Sequence, residues 1–147
     1  MGTRLHTHYL PYTPEQLFDL VADVEKYPEF LPWCVAARIL SKSENEIVAD
    51  LSVGYKLFRE TFRSRVHLTP KTRIDVEYIT GPFDSLNNHW IFKRAPQSGT
   101  NVDFFIDFQF HNSLFQSITQ KVFEDAFDQM LSSFEKRAQQ LYGDSKN

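Results

Sequence analysis

The hydrophobic period changes after the strand-like middle of this chain, and that change is the strongest constraint on its fold. Between residues 36 and 110, apolar side chains mostly alternate with polar ones, which is typical of strands with one dry face. Beyond Ser113 the apolar residues recur every three or four positions as far as Gly143, which predicts one long amphipathic helix. The sequence therefore predicts an α+β domain in which a sheet covers a long C-terminal helix.

The first part of the chain predicts a strand, a helix and a short connection. Leu5–Leu10 has the composition of a strand, and Thr13-Pro14-Glu15-Gln16 is a helix start with a capping box and proline at the first helical position. Pro28 is expected to end this helix. Residues 29–33 follow Pro28 and contain Pro32, which leaves one short helical turn or a loop.

The aromatic content suggests what the space between sheet and helix holds. Aromatic residues make up 15% of the chain, and 14 of its 147 residues are Phe. A strongly curved sheet cannot contact a straight helix everywhere, so a gap is expected between them. A gap lined by phenylalanine would stay dry and accept an apolar guest. A dense Phe-rich core without a cavity is the alternative, and composition alone does not choose between them.

Charge and cysteine content argue against several classes of function. The net charge is −3, whereas nucleic-acid binders usually have a basic excess. The clustered positive charge is Arg59, Arg63 and Arg65, for which ion pairing on a solvated strand face is the favoured interpretation. Cys34 is the single cysteine, so an internal disulfide is excluded, and its apolar neighbours argue against catalysis.

The sequence contains no apolar run long enough for a membrane helix and no N-terminal targeting signal. We therefore expect one domain over residues 1–143, a flexible tail at 144–147, and a cytoplasmic protein.

Candidate catalytic groups are sparse. Glu60 shares a strand face with Phe62, where burial would raise its pKa, but a wet or ion-paired position near the strand end is favoured. The five histidines are scattered, and His6 and His8 share one strand face without an evident third ligand for zinc. We expect no catalytic residue, no metal site and no enzymatic activity.

Three segments carry a family resemblance. They are Tyr27-Pro28-Glu29-Phe30-Leu31-Pro32-Trp33-Cys34, Gly81-Pro82-Phe83 with Leu86 and Trp90–Phe92, and Phe134–Ala138 with Leu141–Gly143. With the order of elements, they resemble the helix-grip fold of the START-like, polyketide-cyclase superfamily, and more narrowly the coenzyme Q-binding START-domain family. That fold implies a curved antiparallel sheet of about six to seven strands wrapped around the C-terminal helix, with a short helical segment after the first strand.

The resemblance implies a carrier or chaperone for ubiquinone or a similar isoprenoid lipid, in support of respiratory electron transport. The quinone would be a bound ligand, and no cofactor is expected. Bacterial members of the same family are RatA-type ribosome-association toxins, proposed to block subunit joining. A toxin with the ribosome as its partner is therefore the first alternative, and a cyclase-like enzyme is the second.

Strand and helix periodicity predicts which side chains line the pocket. The expected ligand-binding residues are Trp33, Phe62, Val66, Leu86, Trp90, Phe108, Phe110, Val122, Phe123, Phe127, Met130 and Leu131. Phe30, Leu31 and Trp33 are expected to form a lid that contacts lipid or the membrane surface, and a hydrophobic plug against the sheet is the alternative.

Overall fold

A computed structural model describes residues 2–55, 58–81, 83–110 and 120–143, with side chains except at residues 55, 58, 110 and 120–124. Within these ranges, two helices and a 3₁₀ segment accompany seven strands. The elements in chain order are β1 (Gly2–Leu10), α1 (Pro14–Ala22), the 3₁₀ segment (Val24–Glu29), β2 (Cys34–Lys42), β3 (Glu46–Tyr55), β4 (Phe58–Thr69), β5 (Arg73–Thr80), β6 (Phe83–Arg94), β7 (Thr100–Phe110) and α2 (Gln120–Tyr142).

The strands form one antiparallel sheet in the order β1-β7-β6-β5-β4-β3-β2. Each strand from β2 to β7 pairs with its neighbour in sequence, whereas β1 pairs with the last strand, β7. β1 and β2 are therefore the two edges, and α1 with the 3₁₀ segment connects them. Register shifts interrupt the β2–β3, β4–β5 and β6–β7 pairs, and such bulges bend the strands that contain them. The predicted architecture is confirmed.

The start of α1 is as predicted, but its end is not. Thr13 Oγ1 accepts from the Gln16 amide at 3.1 Å, and Gln16 Oε1 accepts from the Thr13 amide at 3.0 Å. The helix ends at Ala22, and Pro28 lies inside the following 3₁₀ segment, so the prediction that Pro28 ends the helix is wrong. The Tyr27 hydroxyl donates to the carbonyl of Val21, which helps the chain to leave the α-helical path early.

The two faces of the sheet have different surroundings. The inner face, defined as the face that packs against α2, carries buried residues from six strands, including Leu10, Ile47, Val66, Ile74, Trp90, Phe92, Val102 and Phe104. These residues form one core with the apolar sides of α1 and α2. The outer face carries ion pairs such as Arg63 with Asp50, at 2.8 Å.

The predicted start of the long helix at Ser113 and the predicted tail at 144–147 lie outside the described residues. Over its described part, α2 runs from Gln120 to Tyr142, and Gly143 follows with a φ of 75°, the left-handed conformation expected of a helix C-terminus. In the parts of the chain that the structure describes, no helix is both long and apolar enough to cross a membrane.

Candidate ligand-binding site

A cleft of about 230 Å³ opens between α2 and the end of the sheet formed by β1, β7 and β6. Its floor is apolar and its rim is polar. The floor residues are Leu10, Trp90, Val102, Phe104, Leu131 and Phe134, and the rim residues are His6, His8, Asp128, Ser132 and Glu135.

The floor of the cleft is built from aromatic rings of three elements. Trp90 on β6 and Phe104 on β7 are register partners, and their ring centroids lie 4.3 Å apart. Phe134 of α2 meets Trp90 edge to face at 5.2 Å. All three side chains are at most 7% exposed. Aromatic pairs at this spacing are rigid, so the floor is a preformed apolar surface.

The rim histidines come from the edge strand. His6 pairs in register with Phe104 and His8 pairs with Val102, so both imidazoles lie on the inner face of β1. Their rings stack at 5.6 Å. Because β1 is an edge and α2 covers it incompletely, the side chain of His8 remains 48% exposed. The rim is therefore a place where polar groups border an apolar floor.

Polar contacts join this rim to α2. His8 Nε2 lies 3.4 Å from Glu135 Oε1, and Arg4 Nη2 lies 3.6 Å from Asp128 Oδ1. The Arg4 guanidinium also lies over the Phe127 ring, 4.5 Å from its centroid. All of these contacts are at the surface, where an ion pair contributes about 0–1 kcal/mol. They orient β1 and α2 without closing the cleft.

Burial is the largest cause that lowers the pKa of His6. The neighbouring His8 and Arg4 lower it further, and Asp128 opposes them. His6 is therefore mostly neutral at pH 7, with one ring nitrogen as a donor and the other as an acceptor. Neither nitrogen has a hydrogen-bond partner among the described residues.

Of the predicted ligand-binding residues, Trp90 and Leu131 line this cleft. Sequence reasoning missed the rim. The signal that could have found it was the spacing of His6 and His8, which places two imidazoles on one face of a strand. The spacing was weighed only as a zinc site. Leu10, Val102 and Phe104 have inward parity on their strands, and Phe134 belongs to the C-terminal motif.

The remaining predicted residues lie elsewhere on the inner face or beyond what is described. Val66, Leu86, Phe108 and Phe127 are buried, and Phe62 and Met130 are partly buried. Phe83, Phe62 and Phe108 form a second aromatic group, in which Phe83 lies 6.2 and 6.0 Å from the other two ring centroids. The side chains of Phe110, Val122 and Phe123 are outside the described set. Ligand contact by these residues stays a prediction.

The Pro-bracketed segment is a plug in this structure. Leu31 is 2% exposed, and Phe30 packs edge to face on Phe134 at 5.2 Å. Arg137 of α2 donates to Glu29 Oε1 at 2.9 Å and lies over the Phe30 ring at 5.2 Å. The Leu31 side chain therefore belongs to the core in this structure, and the lid formed by Phe30, Leu31 and Trp33 stays a prediction. Contact of Phe30 or Leu31 with a lipid would require the segment to move.

Two polar atoms on the inner side are buried without partners. Trp33 is partly buried, and its Nε1 has no hydrogen-bond partner among the described residues. The hydroxyl of Ser64 on β4 also has no hydrogen-bond partner among the described residues, and Ser64 is 4% exposed. Leaving a buried polar group unpaired costs about 1–3 kcal/mol. These atoms are potential partners for a polar group that enters the interior.

The groups weighed for catalysis were Cys34, Glu60 and the histidines. Burial raises the pKa of the Cys34 thiol to about 11, which makes it a poor nucleophile at neutral pH. Glu60 is partly buried and lies opposite Val53, near the start of β4. Among the described residues, no three His, Cys, Asp or Glu side chains form a cluster that could hold a metal ion.

Two of the three arginines of β4, Arg63 and Arg65, have acidic neighbours. Arg63 Nε donates to Asp50 Oδ1 at 2.8 Å, and Arg65 lies 3.6 Å from Glu46 and 3.5 Å from Glu77. These pairs lie on the outer face and neutralise much of the positive charge that the sequence clusters there.

Comparison of the sequence and fold with known proteins defines the class to which this protein belongs. Residues 10–135 match the family model described as polyketide cyclase / dehydrase and lipid transport, and the chain belongs to this family. The aromatase/cyclase ZhuI of a Streptomyces species superposes with a TM-score of 0.83 over 94% of this chain and 93% of its own, at 18% identity. The chain is thus a START-like protein of a class that binds hydrophobic ligands.

Three relatives show how similar individual members of this class are to the chain. The ribosome association toxin RatA of Rickettsia prowazekii is 40% identical over 92% of this chain and 95% of its own length. The mitochondrial coenzyme Q-binding protein COQ10 of Dictyostelium discoideum is 31% identical over 99% of this chain and 73% of its own. The solution structure of the 18 kDa protein CC1736 from Caulobacter crescentus has a TM-score of 0.79 and 37% identity, over 98% of this chain and all of its own.

Proposed function

We propose that this protein binds and carries an isoprenoid quinone, ubiquinone or a close analogue, in support of respiratory electron transport. The observation that carries the proposal is the cleft between β1 and α2, whose aromatic floor lies next to polar groups at the rim. A quinone head group has the same division, with a flat ring and oxygen atoms at its edge. The coenzyme Q-binding name of one relative supports this ligand class.

The size of the cleft limits which part of such a ligand it can hold. A cavity of about 150 Å³ accepts benzene, and pockets for drug-sized ligands measure about 300–1,000 Å³. At about 230 Å³, the cleft suits a single substituted ring. A long isoprenoid tail must then lie outside the cleft, either along the inner face of the sheet or out through the mouth.

The proposal treats the quinone as cargo, without chemical conversion. The titratable pair at the rim, His8 and Glu135, has side chains that are 48% and 55% exposed. Water competes for groups this exposed, and neither is enclosed as the acid–base groups of a closed active site are. A carrier of a membrane lipid must exchange it with a bilayer. Transient contact with the inner face of a bacterial membrane is therefore part of the proposal, and the protein otherwise acts in the cytoplasm.

Lipid identification tests the proposal directly. Protein purified from its own host is analysed by native mass spectrometry and by solvent extraction, and we expect a co-purified isoprenoid quinone. Adding a short-chain ubiquinone to delipidated protein should quench the tryptophan that lines the cleft, Trp90. The Trp33→Phe variant isolates this signal. Recovery of no isoprenoid lipid together with no quenching would rule out quinone carriage.

Ribosome association is the second candidate, because relatives at 33–40% identity over at least 90% of this chain are named ribosome association toxins. The ion pairing of Arg63 and Arg65 reduces the positive charge that β4 could offer to rRNA. Sedimentation with isolated ribosomal subunits at moderate salt tests this candidate, and co-migration with one subunit is the supporting result. Absence of co-migration would remove it.

A further inference from the structure

We infer that His6 is the head-group donor of the cleft and that the rim selects a neutral, oxygen-bearing ring over an anionic lipid. This inference deepens the proposed function and rests on it, since it assigns the site at which the quinone ring would bind. The site is one end of the cleft, the rim formed by β1 and α2.

The register of the sheet places His6 at the edge of the aromatic floor. Ile74, Trp90, Phe104 and His6 are successive register partners across β5, β6, β7 and β1, so they form one row on the inner face. His6 is the polar end of this row of apolar side chains. A flat ring that lies against Trp90 and Phe104 therefore has its edge directed along the row towards the imidazole.

His6 is the rim imidazole that is available to a ligand. Its ring packs edge to face on Phe127 at 6.3 Å, which limits its motion, and its nitrogens have no hydrogen-bond partner among the described residues. His8, by contrast, already lies beside Glu135 at 3.4 Å. A neutral imidazole both donates and accepts one hydrogen bond, so His6 can pair with a quinone carbonyl or with the hydroxyl of the reduced form.

Charged and titratable side chains from two elements surround His6. From β1 these are Arg4 and His8, and from α2 they are Asp128 and Glu135. Apart from the two imidazoles, one cation faces two carboxylates, and Arg4 is engaged by Asp128. The rim is then net negative. It opposes the carboxylate of a fatty acid or the phosphate of a phospholipid, whereas a neutral quinone pays no such penalty.

The test measures affinity in the Trp33→Phe background, with Trp90 as the fluorescent reporter. The neutral probe is a ubiquinone analogue with a ten-carbon tail, and the anionic probe is decanoic acid, measured as a competitor. We expect His6→Phe, which keeps the ring but removes both nitrogens, to weaken quinone binding about three- to tenfold. His6→Gln keeps a donor and should retain most of the affinity.

His89→Phe is the matched control, because His89 is a partly buried histidine that stacks on Phe105 at 5.2 Å on the outer face. It should leave quinone affinity unchanged. Glu135→Gln tests the charge argument, and it should strengthen decanoate competition several-fold.

The outcomes separate this inference from the proposed function. If the parent protein binds the quinone and His6→Phe binds it equally well, the assignment of His6 is wrong and quinone carriage stands. If decanoate competes equally against the parent protein and Glu135→Gln, the selection against anions is wrong. If the parent protein binds no quinone, both proposals are overturned. Thermal unfolding of each variant verifies that it is folded.

Discussion

Helix α2 meets the rest of the protein in two different ways along its length. Its C-terminal half is anchored: Ala138 is completely buried, and the Tyr142 hydroxyl donates to the Gln16 carbonyl of α1 at 3.0 Å. The part that follows residue 127 borders the cleft, where Leu131 is only partly buried and Asp128 and Glu135 are exposed. Phe134 lies at the boundary and takes part in both regions.

The difference lies in what the helix packs against. At the anchored end, α1 and the 3₁₀ segment follow the helix closely, and the small side chain of Ala138 allows a close approach. At the open end, its neighbour is the edge strand β1, and ion pairs rather than apolar side chains span the rim. The comparison indicates that one end of α2 stabilises the fold and that the other leaves room for a ligand.

The largest expected effect is at the boundary residue. Phe134→Ala removes the ring that packs on Tyr27, Phe30 and Trp90, at centroid distances of 5.5, 5.2 and 5.2 Å. We expect the free energy of unfolding to fall by about 3–5 kcal/mol, as is typical for a buried Phe truncated to Ala. Urea denaturation measures it.

The control is Leu141→Ala, on the same helix at a side chain that is 50% exposed, where the change should stay within about 0.5 kcal/mol. A loss of less than about 1 kcal/mol in Phe134→Ala would mean that Phe134 does not anchor the helix, and the contrast between the two ends would then lose its energetic basis.

The anchored end was largely predictable from sequence, and the open end was not. The capping box from Thr13 to Gln16 and the helical period of α2 are local patterns, so they can be read directly from the chain. Periodicity also predicted that Trp90 and Leu131 face the interior. The early end of α1 was missed because it depends on Tyr27, whose hydroxyl contacts a carbonyl six residues away.

The rim of the cleft depends on distant contacts. His8 meets Glu135, which lies on an element at the other end of the chain. Strand parity specifies which face a side chain is on, but it does not specify how far the opposing helix is from that face. For the same reason, the sequence predicted an aromatic interior without deciding whether the interior was full, and the structure leaves a cleft of about 230 Å³ there.

Filling the cleft should affect binding far more than stability. Leu131→Trp adds a large ring at a partly buried position on the cleft wall. We expect quinone affinity to fall at least about tenfold, equivalent to about 1.4 kcal/mol, because the added ring occupies the space for the head group. The change in unfolding free energy should stay within about 1 kcal/mol, since the indole enters existing space and does not overpack the core.

Isothermal titration with the short-chain ubiquinone measures this affinity, and Lys136→Trp, at an exposed position of the same helix, serves as the control. Unchanged affinity in Leu131→Trp would show that the quinone ring binds elsewhere, with the inner face around Ser64 and Trp33 as the next region to test.

The smallest effect is a difference in how the two ends respond to pH. At the open end, the pKa of His6 is lowered from its ordinary value of 6.5, chiefly by burial and then by His8 and Arg4, while Asp128 opposes them. Below about pH 6.5 the unfolded chain therefore binds a proton at this position before the folded protein does. The contribution of His6 is complete above pH 6.5 and is lost as the pH falls through the lower, folded pKa.

At the anchored end, the hydrogen bond from Arg137 lowers the pKa of Glu29 below its ordinary value of 4.5. Its contribution is therefore complete above pH 4.5 and is lost only as the pH falls further. Hydrogen exchange at pH 7.5 and 5.5 should show that β1 and the Phe127–Leu131 turn of α2 lose protection first, while the Phe134–Tyr142 part keeps it. His6→Phe should reduce that difference, because it removes the titrating group but keeps a ring against Phe127. Equal loss at both ends, or an unchanged response in His6→Phe, would show that the pH sensitivity of the fold does not originate at the cleft.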